Sequence, residues 1–159
     1  RLAYHGLRAK DKSFNATLKT DFDETIGLIK VIPQDMGRVI LNLITNAFYA
    51  TNERKKASGN SDFKPTVSIA TKSVDYSPIG LGGERIGNAI EISVKDNGNG
   101  IPKGIIDKIF QPFYTTKPTG EGTGLGLSMS YDIVTTHGGT LSVTSKAGIG
   151  SKFIIKLPK

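Results

Sequence analysis

The sequence predicts an α+β fold in two layers: one mixed β-sheet with its helices packed on one face. Three observations carry this. Alternating apolar and polar runs occur early, in the middle and at the end of the chain, as half-buried strands require. Between them lies one long stretch with apolar residues at helical spacing. Glycine is in excess, 19 of 159 residues, about 12% where roughly 7% is usual, and so marks many turns and element ends. With 37% hydrophobic and 22% charged residues, the chain can bury a core, which excludes a disordered or fibrous class. Its length is that of one domain.

The elements follow in order. Ser13–Thr20 alternates loosely and is read as a strand, closed by the turn residues Asp21, Asp23 and Glu24. Ile26–Ile32 is read as a second strand, ended by Pro33. Pro33, Gln34 and Asp35 open the strongest helix, because proline suits a first helical position and an acid suits the positive helix end. Val39, Ile40, Leu43, Ile44 and Ala47 continue it at helical spacing, and it is expected to fade near Thr51. Residues 52–65, charged and rich in small side chains, are read as a loop or frayed helix end. Thr66–Val74 and Ala89–Asp96 alternate and are expected to form a hairpin. The long turn between them holds Pro78, Gly80, Gly82, Gly83 and Gly87. A short helix is expected around Lys103–Ile109, then a loop rich in Thr, Lys, Pro and Gly from Gln111 to Thr123. A helix from about Leu125 to His137 ends at Gly138 and Gly139. Thr140–Ser145 and Ser151–Leu157 close the fold as a hairpin across Gly148 and Gly150.

Composition excludes several functions. There is no cysteine, so neither a disulfide framework nor a thiolate metal site is available. Two histidines are too few for a histidine-rich metal cluster, and 8% aromatics with no tryptophan make a poor stacking surface for single strands. The net charge of +7 permits nucleic acid, a membrane or a polyanionic small ligand. The lysines are scattered, with one short run at Arg54-Lys55-Lys56 and no interleaved aromatics, which argues against nucleic acid. No apolar run reaches the length of a membrane span, and the N-terminus lacks the form of a signal peptide. The missing initiator methionine leads us to expect an excised domain.

Four clusters stand out. Asn42 and Asn46 share one face of the long helix, although asparagine prefers caps and turns. They either bond locally to a neighbouring loop or form a wall of amide oxygens suited to completing a Mg²⁺ shell. Asp96-Asn97-Gly98-Asn99-Gly100 follows directly on a strand. It is either a tight turn or a nucleotide pocket, with an acid for an exocyclic amine and glycines that admit the base. Gly120-Glu121-Gly122-Thr123-Gly124-Leu125-Gly126-Leu127 runs into a helix, where free N–H groups and the positive helix end suit phosphates. It has neither the Lys-Ser/Thr pair of a Walker A loop nor the preceding strand of a dinucleotide fingerprint. Phe110, Phe113 and Tyr114 end the short helix beside a loop carrying Lys117, which can reach a phosphate. The bland reading makes Phe110 and Phe113 core anchors and Lys117 a solvated side chain. Together the four describe one adenine-nucleotide site with a lid.

These motifs resemble a known family. Asn42-Leu-Ile-Thr-Asn46-Ala47 looks like its N box, and Asp96 through Gly100-Ile101-Pro102 like its first glycine box. Ile109 through Lys117 looks like its F box, and Gly122-Thr123-Gly124-Leu125-Gly126-Leu127 like its second glycine box. The family is the catalytic and ATP-binding domain of sensor histidine kinases, in the superfamily of gyrase B, Hsp90 and MutL ATPases. The resemblance covers roughly residues 13–158. It implies a two-layer α/β sandwich, with a mixed sheet facing three helices and a mobile ATP lid.

By the same resemblance, Asn46 is the Mg²⁺ ligand and Asn42 supports the metal or phosphate region. Asp96 binds the adenine amino group, Gly98, Gly100 and Ile101 shape the base pocket, and Phe110 and Phe113 anchor the lid. Gly122, Thr123, Gly124, Leu125, Gly126 and Leu127 hold the lid hinge and the phosphates. Many members carry a basic residue three positions after the second asparagine. Tyr49 stands there, which leaves phosphate neutralisation to Lys117, Arg54 or a residue from elsewhere. The superfamily's ATPases have a glutamate where this chain has Asn42, and an amide is no general base for water. A neutral imidazole is itself a nucleophile, so transfer of the γ-phosphoryl group of ATP to histidine is favoured over hydrolysis. His137 reads as a helix cap, and His5 lacks an acidic neighbour on its C-terminal side. The implied acceptor therefore lies on a separate phosphoacceptor and dimerisation domain. Residues 1–12 are expected to be a remnant of the upstream dimerisation and phosphoacceptor helix or a linker, and 13–159 to be the catalytic and ATP-binding domain. A response regulator, a homodimeric parent, a cytoplasmic location and a monomeric isolated domain complete the expectation. The alternatives are a regulatory nucleotide-binding module and a superfamily ATPase.

Overall fold

The computed structural model describes residues 15–59, 62–76 and 87–159. The chain runs β1 (Thr17–Phe22), α1 (Pro33–Ser58), β2 (Thr66–Tyr76), β3 (Gly87–Asp96), α2 (Gly126–Thr136), β4 (Thr140–Lys146) and β5 (Gly150–Pro158). The strands form one 5-stranded sheet in the order β1-β2-β3-β5-β4. β1 and β2 are parallel and every other pair is antiparallel. Parallel neighbours need a crossover, and α1 is that crossover. The sheet is mixed for this reason, as expected.

Register sets the faces. Ile69, Val94, Phe153 and Val143 lie in one row across β2, β3, β5 and β4, and Thr71, Ile92, Ile155 and Leu141 in the next. Val94, Phe153, Ile155 and Leu141 of these rows join Met36, Val39, Leu43, Ala47 and Phe48 of α1 and Val134 of α2 in the core, with Ile92 and Val143 packed against it. On the opposite face, buried Glu91 is bracketed by Lys72 at 3.5 Å and Lys152 at 3.8 Å.

Four expectations are corrected. Residues 26–32 are not a strand. Gly27 turns left-handed at φ 68° and Leu28 is 98% exposed, so the alternation does not continue. The chain must pass from the sheet to the start of α1, and Ile29 and Val31 pack on the core along that path. The long helix does not fade at Thr51 but runs to Ser58, with Gly59 left-handed beyond it. Its charged last turns are good helix formers. Arg54 ties them down, donating from Nη1 to the carbonyls of Asn97 (2.8 Å), Gly98 (3.2 Å) and Ile149 (3.1 Å). Residues 103–110 are consecutive turns rather than a helix. Their bonds span three residues, Ile105 to Pro102, Lys108 to Ile105 and Gln111 to Lys108, a geometry that seldom continues. Among the described residues the α-helices are α1 and α2. The first strand is described from Thr17 to Phe22 rather than ending at Thr20.

α2 ends as its glycines predicted, with Gly138 at φ 72°. His137 is its C-cap. Its Nε2 accepts the Ile32 N–H at 3.1 Å while Nδ1 lies 2.7 Å from the Ile133 carbonyl. Accepting at Nε2 and donating at Nδ1 defines one neutral tautomer, so both ring nitrogens serve the fold. The expected turn around Pro78–Gly83 and the expected remnant at residues 1–12 lie outside the described residues.

Phe48 is fully buried between α1 and the sheet. Phe48→Ala should lower the unfolding free energy by about 3–5 kcal/mol in urea denaturation. Leu28→Ala, at a 98% exposed position, should change it by less than about 0.5 kcal/mol.

Candidate functional site

A cleft of about 720 Å³ opens between α1, the ends of β3 and β5, the loop after β3 and residues 114–124, within the usual range for small-molecule sites. α1 contributes Asn42, Asn46, Tyr49 and Glu53, a spacing of four, three and four that keeps them on one face. That face adjoins the buried stripe of Val39, Leu43 and Ala47.

At one end lies Asp96. It is two residues on from buried Val94 and shares its core-facing parity, so the carboxyl points into the helix layer and is 4% exposed. Its Oδ1 accepts the N–H of Gly98 at 2.8 Å and of Ser151 at 3.3 Å. Both of these bonds fall on one oxygen, so the carboxyl retains an acceptor on the side it turns to the cleft. Burial raises its pKa above the ordinary value, opposed by the two backbone donors. The loop beyond presses on α1: a Cβ on Gly98 would lie 2.7 Å from the Ala50 carbonyl carbon. Arg54 clamps the same loop by its carbonyls, with its guanidinium 4.8 Å over the Phe63 ring. Ile101 donates its N–H to Ser145 Oγ at 2.8 Å and lines the cleft with Gly100.

At the other end the asparagines form a chain of hydrogen bonds. Lys117 Nζ donates to Asn46 Oδ1 at 3.0 Å. Asn46 Nδ2 donates to Asn42 Oδ1 at 3.5 Å, and Asn42 Nδ2 to Ser130 Oγ at 3.0 Å. Ser130 in turn donates to the Gly126 carbonyl at 2.8 Å. The same ammonium sits 4.4 Å above the Tyr49 ring. The Tyr49 hydroxyl donates to Glu121 Oε2 at 3.4 Å. Burial first, then Glu53 and Glu121, raises the Tyr49 phenol above its ordinary pKa, so it remains a donor. α2 begins beside this cluster with no acidic residue in its first turn and no side-chain cap. Its first N–H groups and positive end suit an anion.

The residue here that could hold a divalent cation is Asn46. Asn46 Oδ1 already faces a positive charge inside the cleft, and a neutral amide oxygen suits Mg²⁺ when phosphates and water supply the other ligands. Among the described residues no group of three His, Cys, Asp or Glu could hold a metal alone. Asn42, whose oxygen and amide both have partners, stands behind Asn46 as a support.

The cleft thus gathers Asn42, Asn46, Asp96, Gly100, Ile101, Lys117, Gly122, Thr123, Gly124, Gly126 and Leu127. Gly98 lies just behind its wall against Ala50, and Leu125 is the α2 N-cap. Phe110 packs on the core and tilts against Tyr131, centroids 5.6 Å apart. Phe113 does not anchor anything by its ring: it is 75% exposed, with a left-handed φ of 64°. Its backbone instead covers Gly124 (φ 67°), where a Cβ would come 2.6 Å from the Phe113 Cα. Tyr114 takes the anchoring place, packed on the core and lining the cleft. Arg54 is committed to carbonyls, so Lys117 is the one basic side chain among the described residues that line the cleft. Sequence reasoning missed Tyr49, Glu53 and Glu121 as lining residues. The first two were within reach, since they continue the Asn42–Asn46 face by helical spacing.

The pattern defining the family "Histidine kinase-, DNA gyrase B-, and HSP90-like ATPase" matches residues 32–159. The sensor histidine kinase ZraS of Escherichia coli (strain K12) is 32% identical over 160 residues, covering 99% of this chain and 29% of that protein. Sporulation kinase E of Bacillus subtilis (strain 168) is 31% identical, covering 96% of this chain and 18% of that one. This chain thus spans less than a third of either relative. The solved catalytic domain of histidine kinase ThkA, in a nucleotide-free form, superposes with a TM-score of 0.70 at 27% identity, over 100% of this chain and 89% of that one.

The raised pKa of Asp96 has a defined sign. Protonation is easier in the folded chain, so the stability linked to it is full below the ordinary value of 3.8 and is lost as pH rises through the folded pKa. Asp96→Asn keeps an Oδ1 for Gly98 and Ser151 but does not titrate. Its stability relative to wild type should therefore increase with pH across that window, in thermal melts at stepped pH. A parallel pH dependence of the two proteins would refute the assignment.

Proposed function

Because the chain belongs to the histidine kinase-, DNA gyrase B- and HSP90-like ATPase family, we propose that it is the ATP-binding catalytic domain of a two-component sensor histidine kinase. It transfers the γ-phosphoryl group of ATP to a histidine on a phosphoacceptor and dimerisation domain of the same parent, in the cytoplasm. A response regulator then receives the group. Residues 13–159 are the catalytic and ATP-binding domain, which is monomeric by itself. One observation supports this most: a buried carboxyl with an acceptor turned to the cleft and a lysine-bound amide oxygen lie at opposite ends of the same cleft.

The residues divide the work. Asp96 accepts from the adenine amino group, while Gly98, Gly100 and Ile101 shape the slot for the ring. The α2 N-terminus and the backbone of 122–126 donate to phosphate oxygens, and Lys117 is the side-chain cation that lines this end of the cleft. Asn46, braced by Asn42, would hold Mg²⁺, which supplies charge neutralisation at the phosphates when bound. The acceptor imidazole attacks phosphorus with its lone pair, the N–P bond forms, and the bond to the ADP oxygen breaks. Such transfer depends chiefly on alignment and charge neutralisation. Asn42 cannot take a proton from water, which keeps hydrolysis slow.

Titration with ATP and a non-hydrolysable analogue tests the pocket. Asp96→Asn turns the cleft-facing acceptor into a donor against the adenine amine, and should weaken binding by about tenfold or more. Unchanged affinity would remove Asp96 from the pocket. With Mg-ATP and a separately prepared phosphoacceptor hairpin of the parent, acid-labile phosphohistidine should appear. Tight nucleotide binding with no transfer would instead identify a regulatory module, and rapid hydrolysis by the chain alone an ATPase.

A further inference from the structure

Tyr49 occupies the position on α1 where a cationic side chain would face the phosphate end of the cleft, three residues after Asn46 and on the same face. The cation there comes instead from across the cleft. Lys117, 71 positions away in sequence from Asn46, places its Nζ 3.0 Å from Asn46 Oδ1 and 4.4 Å over the Tyr49 ring. An aromatic face attracts an ammonium, and the hydroxyl of the same ring donates to Glu121, on the same loop as Lys117, at 3.4 Å. The ring and the amide oxygen together make a small cation seat.

That oxygen is also the one proposed to ligate Mg²⁺. A Mg²⁺ ligand lies at about 2.0–2.1 Å, so ion and ammonium would crowd together on one oxygen as like charges. Their mutual repulsion opposes sharing it. We propose that Lys117 and a divalent cation are alternative occupants of Asn46 Oδ1, with the Tyr49 ring as the positioning group that holds the ammonium there. The inference rests on the adenine-nucleotide reading of the cleft. It assigns the two positive charges to different forms of the ligand. Without metal, Lys117 on its seat is the side-chain cation that meets the nucleotide phosphates. With metal, the ion takes over the oxygen, and Lys117 leaves for solvent or another partner.

Calorimetric titration of the chain with ADP, in chelator and in excess Mg²⁺, separates these cases. Lys117→Met should weaken metal-free ADP binding by about tenfold or more, yet weaken Mg-ADP binding by less than about threefold. Tyr49→Leu should follow the same pattern, and Tyr49→Phe, which keeps the ring, should resemble wild type. Equal losses with and without Mg²⁺ in Lys117→Met would overturn the alternation, because both cations would then act together. A Tyr49→Phe protein as impaired as Tyr49→Leu would overturn the role of the ring. Wild type that binds ADP in neither buffer would overturn the nucleotide reading itself, an outcome distinct from both.

Discussion

Everything in the cleft depends on how α1 is held. One stripe of the helix, Met36, Val39, Leu43, Ala47 and Phe48, is buried against the sheet. Successive residues lie about 100° apart on a helix, so burying that stripe orients the next one. Asn42, Asn46, Tyr49 and Glu53 then face the cleft without needing contacts of their own to aim them. The energy that aims these polar side chains is the hydrophobic burial of their neighbours.

The second fixed point is the end of β3. Strand parity turns Asp96 inward after Val94, and a buried carboxylate is unfavourable unless something offsets its desolvation. Two backbone N–H groups do so in part, at a single oxygen. The loop carrying Gly98 is in turn pressed on α1 at Ala50 and clamped by Arg54, which also reaches the turn between β4 and β5 through Ile149. α1 therefore positions both ends of the cleft. Its middle presents the asparagines, and its last turns fix the geometry of Asp96. The extension of the helix to Ser58 is thus part of the site, although those residues read as a charged tail.

What was legible in the sequence was local. The α1 stripe, the β2–β3 and β4–β5 pairs and the glycine stop after α2 each depend on neighbouring residues, and each appears close to where the spacing put it. Asp96 and the asparagines stood out because their residue types conflict with their surroundings. Misreadings arose where tertiary contacts decide. Alternation over 26–32 does not distinguish a paired strand from an extended stretch crossing the core. Charge over 52–58 does not reveal that Arg54 has three carbonyls to bind. Phe113 looked like an anchor by its residue type, but its left-handed backbone turns the chain over Gly124 and leaves Tyr114 to fill the gap. The contacts of Lys117 and Glu121 with α1 bridge about seventy residues, and no local pattern encodes them.

The charge layout of the cleft follows from these placements. The fixed walls offer Asn42, Asn46, Glu53 and Asp96, which are neutral or acidic, and α1 sends no basic side chain inward among the described residues. Alone, such walls would repel a polyanion. Attraction comes from the α2 N-terminus and from Lys117, and both lie at the boundaries of the segment 111–125 or within it. On the proposed reading, the attractive side-chain charge belongs to the loop, while the groups assigned to the base belong to the sheet and α1. Recognition of an uncharged ring and retention of a charged tail are assigned to different parts of the fold. A change in the loop can then alter phosphate affinity without disturbing the base pocket. A helix-borne cation at position 49 would have tied the two together.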